Sequence, residues 1–240
     1  MEPTLPPDAP ALLGRLAGRL RQGAGRLAAA GLARGGAPGP GCYRLLRCTS
    51  TLEAAQSLLV PGQGRCDLNE GARALAQAIR ALCPLRPAQL AFFEAPGPLP
   101  VGLSGRQLAA ALCHLACNSL LYGGPGVRLC LKTGRAGGRA YFYLADTGPG
   151  IAPERWFDSG RSPNAGESGL GLFYCRLAAK AAGGAFWGWN RSGGAGGFSC
   201  LLSLPLRPGP PCPPFSPAFQ AEDRFSPYLI QLSPCCILPD

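Results

Sequence analysis

Leu13, Leu16, Leu20, Gly23 and Leu27 follow alternating steps of three and four, and Leu45, Cys48, Leu52, Ala55 and Leu59 repeat that rhythm. Such spacing lays an apolar seam along one side of a helix. Between the two runs, Gly35-Gly36-Ala37-Pro38-Gly39-Pro40-Gly41 reads as a turn that neither helix enters. Residues 8–60 are therefore expected to form an antiparallel helical hairpin. It is dimerisation-like, because a seam that narrow needs a partner to bury it. Glycines at positions 14, 18, 23 and 25 weaken its first helix by up to about 1 kcal/mol each relative to alanine.

Over residues 64–206 the pattern changes to an alternation of helix and strand. Asp67 and Glu70 form a capping-box pattern opening a helix that reaches Leu82. Leu90 to Glu94 reads as a strand, and Ser104 caps a helix running to Tyr122. Val127 to Thr133 and Arg139 to Asp146 are neighbouring strands joined by a Gly-rich hairpin. A helix from Gly169 to Ala182 follows, then strands Ala185 to Asn190 and Gly197 to Leu204. This order fits an α+β fold: a two-layer α/β sandwich with helices on one face of a mixed, mainly antiparallel sheet. From Arg207 the periodicity fades, and ten prolines fall between Pro205 and Pro239. Residues 207–240 are expected to be a Pro-rich disordered tail, with Phe225 to Leu232 its only stretch suited to docking.

Composition narrows the class. The chain has 240 residues and is 47% hydrophobic, enough for a packed core. It has no apolar run long enough to span a bilayer, and Glu2, Asp8 and the early prolines argue against a transit peptide. A cytoplasmic protein with no membrane span is expected. The net charge of +10 comes almost wholly from arginine, lysine occurring only at Lys132 and Lys180. Such a surface suits anionic partners, whether nucleotide, acidic protein or nucleic acid, but the charges are scattered without interleaved aromatics, and a solvated basic surface is the better reading. Twelve cysteines accompany a single histidine, and none makes a Cys-x-x-Cys pair. Buried, reduced thiols are the reading that fits, with adjacent Cys235 and Cys236 left without an account.

Three short segments carry chemistry. His114, Asn118 and Tyr122 are spaced four apart and share one face of a helix, where an Asn oxygen can join the shell of Mg²⁺. Asp146 ends a strand and is followed by Thr147-Gly148-Pro149-Gly150-Ile151. A carboxylate there can accept a hydrogen bond from the amino group of adenine, with glycines letting backbone approach the base. Gly169-Leu170-Gly171-Leu172 then opens a helix, whose exposed N–H groups suit phosphate.

In this order, the segments resemble the ATP-binding catalytic domain of sensor histidine kinases, within the GHKL ATPase superfamily. His114 to Tyr122 resembles its N box, Asp146 to Ile151 and Gly169 to Leu172 its two glycine boxes, and Trp156-Phe157 the phenylalanine motif between them. The resemblance covers Asp67 to Leu206 and implies Mg-ATP as ligand. Asn118 would bind Mg²⁺, Asp146 the adenine, and Gly148 and Gly150 would shape the base pocket. Gly169, Leu170 and Gly171 would bring backbone to the phosphates beside Tyr122. A lid from about Ala152 to Ser168 would offer Arg161 as a cation for the γ-phosphate, and His114 stands where ATP-hydrolysing relatives carry a general base.

The departures are specific. Leu121 occupies the N-box position of a phosphate-binding Lys or Arg, and the lid is short. Arg19-Leu20-Arg21-Gln22-Gly23 resembles the tail of the phosphoacceptor motif, which puts Gly18 in place of the acceptor histidine. Autophosphorylation on that residue is impossible. The resemblance leans toward an ATP-dependent protein (histidine) kinase of two-component signalling, degenerate at its acceptor site. The expected role is a homodimer that regulates a response regulator or other signalling protein. An active kinase working in trans, in the manner of anti-sigma-factor kinases, is the alternative. A dimerisation module with a vestigial pocket is a third reading, opposed by the presence of Asn118 and Asp146.

Overall fold

A computed structural model describes residues 39–59, 64–84, 89–151, 171–191, 196–209 and 226–236, together with Gly18, Gln22, Gly23, Gly25 and Arg26. Those five isolated residues are helical. The first full helix, α1, spans Pro40–Ser57. It starts inside the segment read as a turn, because Pro40 falls in the first turn, where a missing N–H leaves no bond unmade.

Asp67 ends the short strand β1 (Cys66–Asp67) and caps helix α2 (Leu68–Leu82). Its carboxylate accepts from the Asn69 N–H at 2.8 Å and the Leu99 N–H at 3.2 Å. The cap thus ties the helix to a distant loop as well as to its own first turn. Strands β2 (Leu90–Phe93) and β3 (Pro100–Val101) precede the long helix α3 (Gly105–Tyr122). Ser104 accepts from the Gln107 N–H while the Gln107 side chain accepts from the Ser104 N–H, a reciprocal cap. Every residue from Gln107 to Cys117 is buried, so α3 is the central helix of its layer rather than a surface one.

Strands β4 (Leu129–Ala136) and β5 (Arg139–Asp146), helix α4 (Gly171–Ala181), and strands β6 (Ala185–Asn190) and β7 (Phe198–Pro205) complete the sheet layer. The sheet order is β2-β4-β5-β7-β6. Only β2 and β4 run parallel; the other neighbours are antiparallel. Phe142 and Leu144 of β5, with Cys200, Leu202 and Leu204 of β7, point into one core with Leu108, Leu112 and Leu115 of α3. The opposite face leaves Phe93, Trp187 and Trp189 exposed. Helices on one face of this mixed sheet make the fold α+β, as the sequence pattern implied.

Two expectations need correction. α1 does not bury the seam Leu45, Cys48, Leu52, Ala55 and Leu59, which stays half-exposed. It buries Tyr43, Leu46, Ser50, Ala54 and Leu58, together with Thr49 and Thr51. The expected tail disorder also fails for residues 226–236: helix α5 (Pro227–Leu232) and a 3₁₀ turn (Ser233–Cys235) form there. Ser226 caps α5 by accepting from the Leu229 N–H at 3.0 Å. Leu229 and Ile230 pack on Cys42, Tyr43 and Leu46 of α1, while Tyr228 and Leu232 enter the main core. Burying side chains of this size contributes about 1.5–3 kcal/mol each, enough to order a segment whose flanks are proline-rich.

Candidate functional site

The C-terminal turn of α3 and the end of β5 face each other across a cleft. Asn118, Ser119, Tyr122 and Gly123 line it from the helix, and Asp146, Pro149, Gly150 and Ile151 from the strand end and its turn. Phe198, the first residue of β7, closes the floor. The 18-residue helix and the 8-residue strand are thus long enough to deliver their last residues to one place.

Asp146 is buried at the base of this cleft. Its Oδ1 accepts from the Gly148 N–H at 2.9 Å and the Phe198 N–H at 3.1 Å. Its Oδ2 accepts from the Ser119 hydroxyl at 2.6 Å. A carboxylate offers about four acceptor positions, so these bonds with described residues hold it in one orientation and leave acceptor capacity on Oδ2. A buried carboxylate fixed in this way can receive one further N–H from a ligand in the cleft.

The turn after β5 is pinned from several sides. The Thr147 hydroxyl accepts from the Arg128 N–H at 2.9 Å, and the Thr147 N–H donates to the Arg128 carbonyl at 3.1 Å. The Asn190 side chain holds Ile151 with a matched pair, accepting from its N–H at 2.9 Å and donating to its carbonyl at 2.7 Å. The Arg191 guanidinium donates to the Asp146 carbonyl. Gly148 sits where an added Cβ would come within 2.6 Å of the Gly123 Cα, so any larger residue would push the turn off α3. Gly150 has φ +84°, a left-handed conformation that favours glycine.

The predicted residues therefore divide. Asn118, Tyr122, Asp146 and Gly150 line one cleft, with Gly148 shaping its wall. Arg161, Gly169 and Leu170, like Trp156 and Phe157, lie outside the described residues. Gly171 begins α4 and lies beside His114, whose Nδ1 is 3.4 Å from where a Cβ on that glycine would sit.

His114 does not line the cleft. Its Nε2 bonds to the Thr51 hydroxyl of α1 at 3.1 Å, and its ring packs on Tyr174 of α4 with centroids 5.6 Å apart. Burial, assisted by the Arg47 guanidinium, pushes its pKa down to about 3. The side chain is neutral near pH 7 and joins three helices.

Ser119, Asn190 and Phe198 were missed by the sequence reading. Ser119 had one signal, a hydroxyl next to Asn118 on the same helix. Phe198 acts through its backbone N–H and had none.

No family model matches the chain. Among solved structures, a mycobacterial sensor histidine kinase, MprB, aligns over 60% of this chain and 98% of its own, at 24% identity and TM-score 0.50. Full-length ShkA in complex with AMPPNP aligns over 82% of this chain and 46% of its own, at 21% identity and TM-score 0.63. The histidine kinase AdeS of Acinetobacter baumannii aligns over 81% of this chain and 97% of its own, at 17% identity and TM-score 0.51. Identities this low are likenesses of fold, and the fold this chain carries is that seen in histidine-kinase catalytic domains.

Proposed function

We propose that the cleft between α3 and the β5 turn binds Mg-ATP, and that the protein is a histidine-kinase-like signalling protein regulating a partner. The observation that carries this reading is Asp146, buried at the cleft base with its carboxylate fixed and acceptor capacity remaining on Oδ2. The adenine amino group is a donor that matches it. Asn118, on the same wall one residue before Ser119, is the group suited to complete the oxygen shell of Mg²⁺ alongside phosphate oxygens and water. ShkA, with the same fold, was solved in complex with AMPPNP, which supports a nucleotide as the class of ligand.

In this proposal the phosphates extend toward Gly169, Leu170 and Gly171 at the start of α4, with Arg161 as the γ-phosphate cation. The α1 helix and the segment before it serve dimerisation, and a response regulator is the class of partner to try first. With Leu121 at the N-box cation position, electrostatic help for phosphoryl transfer is reduced and binding outlasts catalysis. His114 is assigned to joining helices, because a neutral imidazole with a pKa near 3 is a weak base and lies outside the cleft.

A competition assay tests the reading. A fluorescent ATP analogue is bound to the full chain with Mg²⁺ and displaced by unlabelled ATP or GTP. ATP should displace it at a concentration at least tenfold lower, because guanine presents a carbonyl where adenine presents its amino group. Equal displacement by the two would remove Asp146 from base recognition. No binding of the analogue at all would overturn the site itself.

A further inference from the structure

Four thiols from three segments meet on the side of α3 next to α1. Cys117 of α3 faces Cys235 of the 3₁₀ turn, Sγ to Sγ 3.3 Å, and the Cys235 thiol also points at the Cys117 carbonyl at 3.7 Å. Cys83, the C-cap of α2, neighbours Cys236, whose thiol donates to the Leu232 carbonyl at 3.1 Å. The Arg47 guanidinium of α1 donates to Cys117 Sγ at 3.7 Å. Among the described residues no His, Cys, Asp or Glu side chains are grouped so as to hold a metal ion.

We propose that Cys117 and Cys235 form a redox clasp: a disulfide, made by exchange with a low-molecular-weight disulfide such as oxidised glutathione, that ties the C-terminal segment to α3 beside Asn118. The pair is suited to it on three counts. The sulfurs already touch, so bond formation needs a small approach rather than refolding. Cys235 is half-buried, the more exposed of the pair, while Cys117 is buried. A guanidinium hydrogen bond from α1 already orders the Cys117 sulfur.

The exchange balances in two steps. The Cys235 sulfur attacks the external disulfide RSSR, forming a mixed disulfide and releasing RS⁻, which takes up the Cys235 proton as RSH. Cys117 Sγ then attacks the Cys235 sulfur, and the second RS⁻ leaves with the Cys117 proton. Two protein thiols are oxidised and one RSSR is reduced to two RSH. In the reduced resting state the hydrogen bond with Cys117, and then burial, hold the Cys235 thiol well above its ordinary pKa. The clasp therefore closes slowly while the tail stays docked and faster when it lifts.

The test is disulfide mapping of the full chain after incubation with oxidised glutathione, with reduced glutathione as control. After alkylation and non-reducing digestion, a linked peptide pair containing Cys117 and Cys235 is expected, with two alkylatable thiols lost per chain. Cys235→Ser should abolish that linkage while Cys236→Ser keeps it. The proposal is overturned if the half-buried Cys48 and Cys130 become glutathionylated but Cys117 and Cys235 stay unlinked. It is equally overturned if the first linkage to form joins Cys235 to Cys236 or Cys83 to Cys236. None of these outcomes depends on nucleotide binding.

Discussion

The Asp146 carboxylate is satisfied by two backbone N–H groups and one hydroxyl, so its replacement acts on both binding and stability. Ser119→Ala removes one of those donors without creating a clash. It should cost about 1 kcal/mol of stability and weaken nucleotide binding by loosening the carboxylate, as read by urea melts with and without Mg-ATP. At His114 the prediction concerns pH. The folded-state pKa is depressed to about 3 from an ordinary 6.5, so below pH 6.5 the unfolded chain takes up a proton that the folded chain does not. Stability from this residue is present above the unfolded pKa and is lost as pH falls toward the folded one, at about 1.4 kcal/mol per pH unit. Urea denaturation at pH 6.5 and pH 5 should show a loss of roughly 2 kcal/mol in the wild type. His114→Gln should lack that part of the loss; an identical slope in the variant would contradict a buried neutral imidazole.

For whole elements, α1 and α5 were the hardest to read. The buried face of α1 includes Thr49, Ser50 and Thr51, which a hydrophobic count places outside. Thr49 and Thr51 mask their polarity by donating to the Leu46 and Arg47 carbonyls, each at 2.9 Å, while Thr51 also meets His114. The seam Leu45, Cys48, Leu52, Ala55 and Leu59 stays half-exposed, with Leu45 and Ala55 packed at the margins of the two apolar clusters. The docked face is reinforced by an ion pair of Glu53 with Arg106 and a 2.8 Å bond from Gln107 to Ser57. Thr51→Val should cost about 1–3 kcal/mol, since it leaves a buried imidazole nitrogen without its partner. α5 falls in the tail stretch marked as suited to docking, but its helix was hidden because it is only six residues long and starts on a proline. The elements ending at the cleft were legible for the opposite reason. The Gly-Pro-Gly turn after β5 and the Ser104/Gln107 cap fix their bounds locally, whereas α1 and α5 take their faces from contacts distant in sequence. If the clasp forms, it closes a loop between positions 118 apart. The oxidised chain should then be more stable by up to about 4–5 kcal/mol, visible as a melting midpoint several degrees higher without reductant.

Taken as a molecule, the chain pairs a histidine-kinase catalytic fold with a sequence whose single histidine is already engaged at the α1–α3–α4 junction. Incubation with γ-labelled ATP should therefore leave the chain without phosphohistidine, and acid-labile label on it would contradict that assignment. That Asn118 and Asp146 line one cleft was implied by motif, because both sit near element ends that the sequence marks with a glycine turn. The roles of Ser119 and Phe198 were not, since one is a lone hydroxyl and the other a backbone N–H brought in by the β5–β7 pairing. The central claim is that this pocket holds Mg-ATP through Asp146 and Asn118. Isothermal titration of Mg-ATP into the full chain, into Asp146→Ala and into Asn118→Ala tests it most directly. Saturable 1:1 binding is expected for the wild type, with heat abolished in Asp146→Ala and Mg²⁺ dependence lost in Asn118→Ala. Absence of binding heat in the wild type, or unchanged affinity in a folded Asp146→Ala chain, would contradict it.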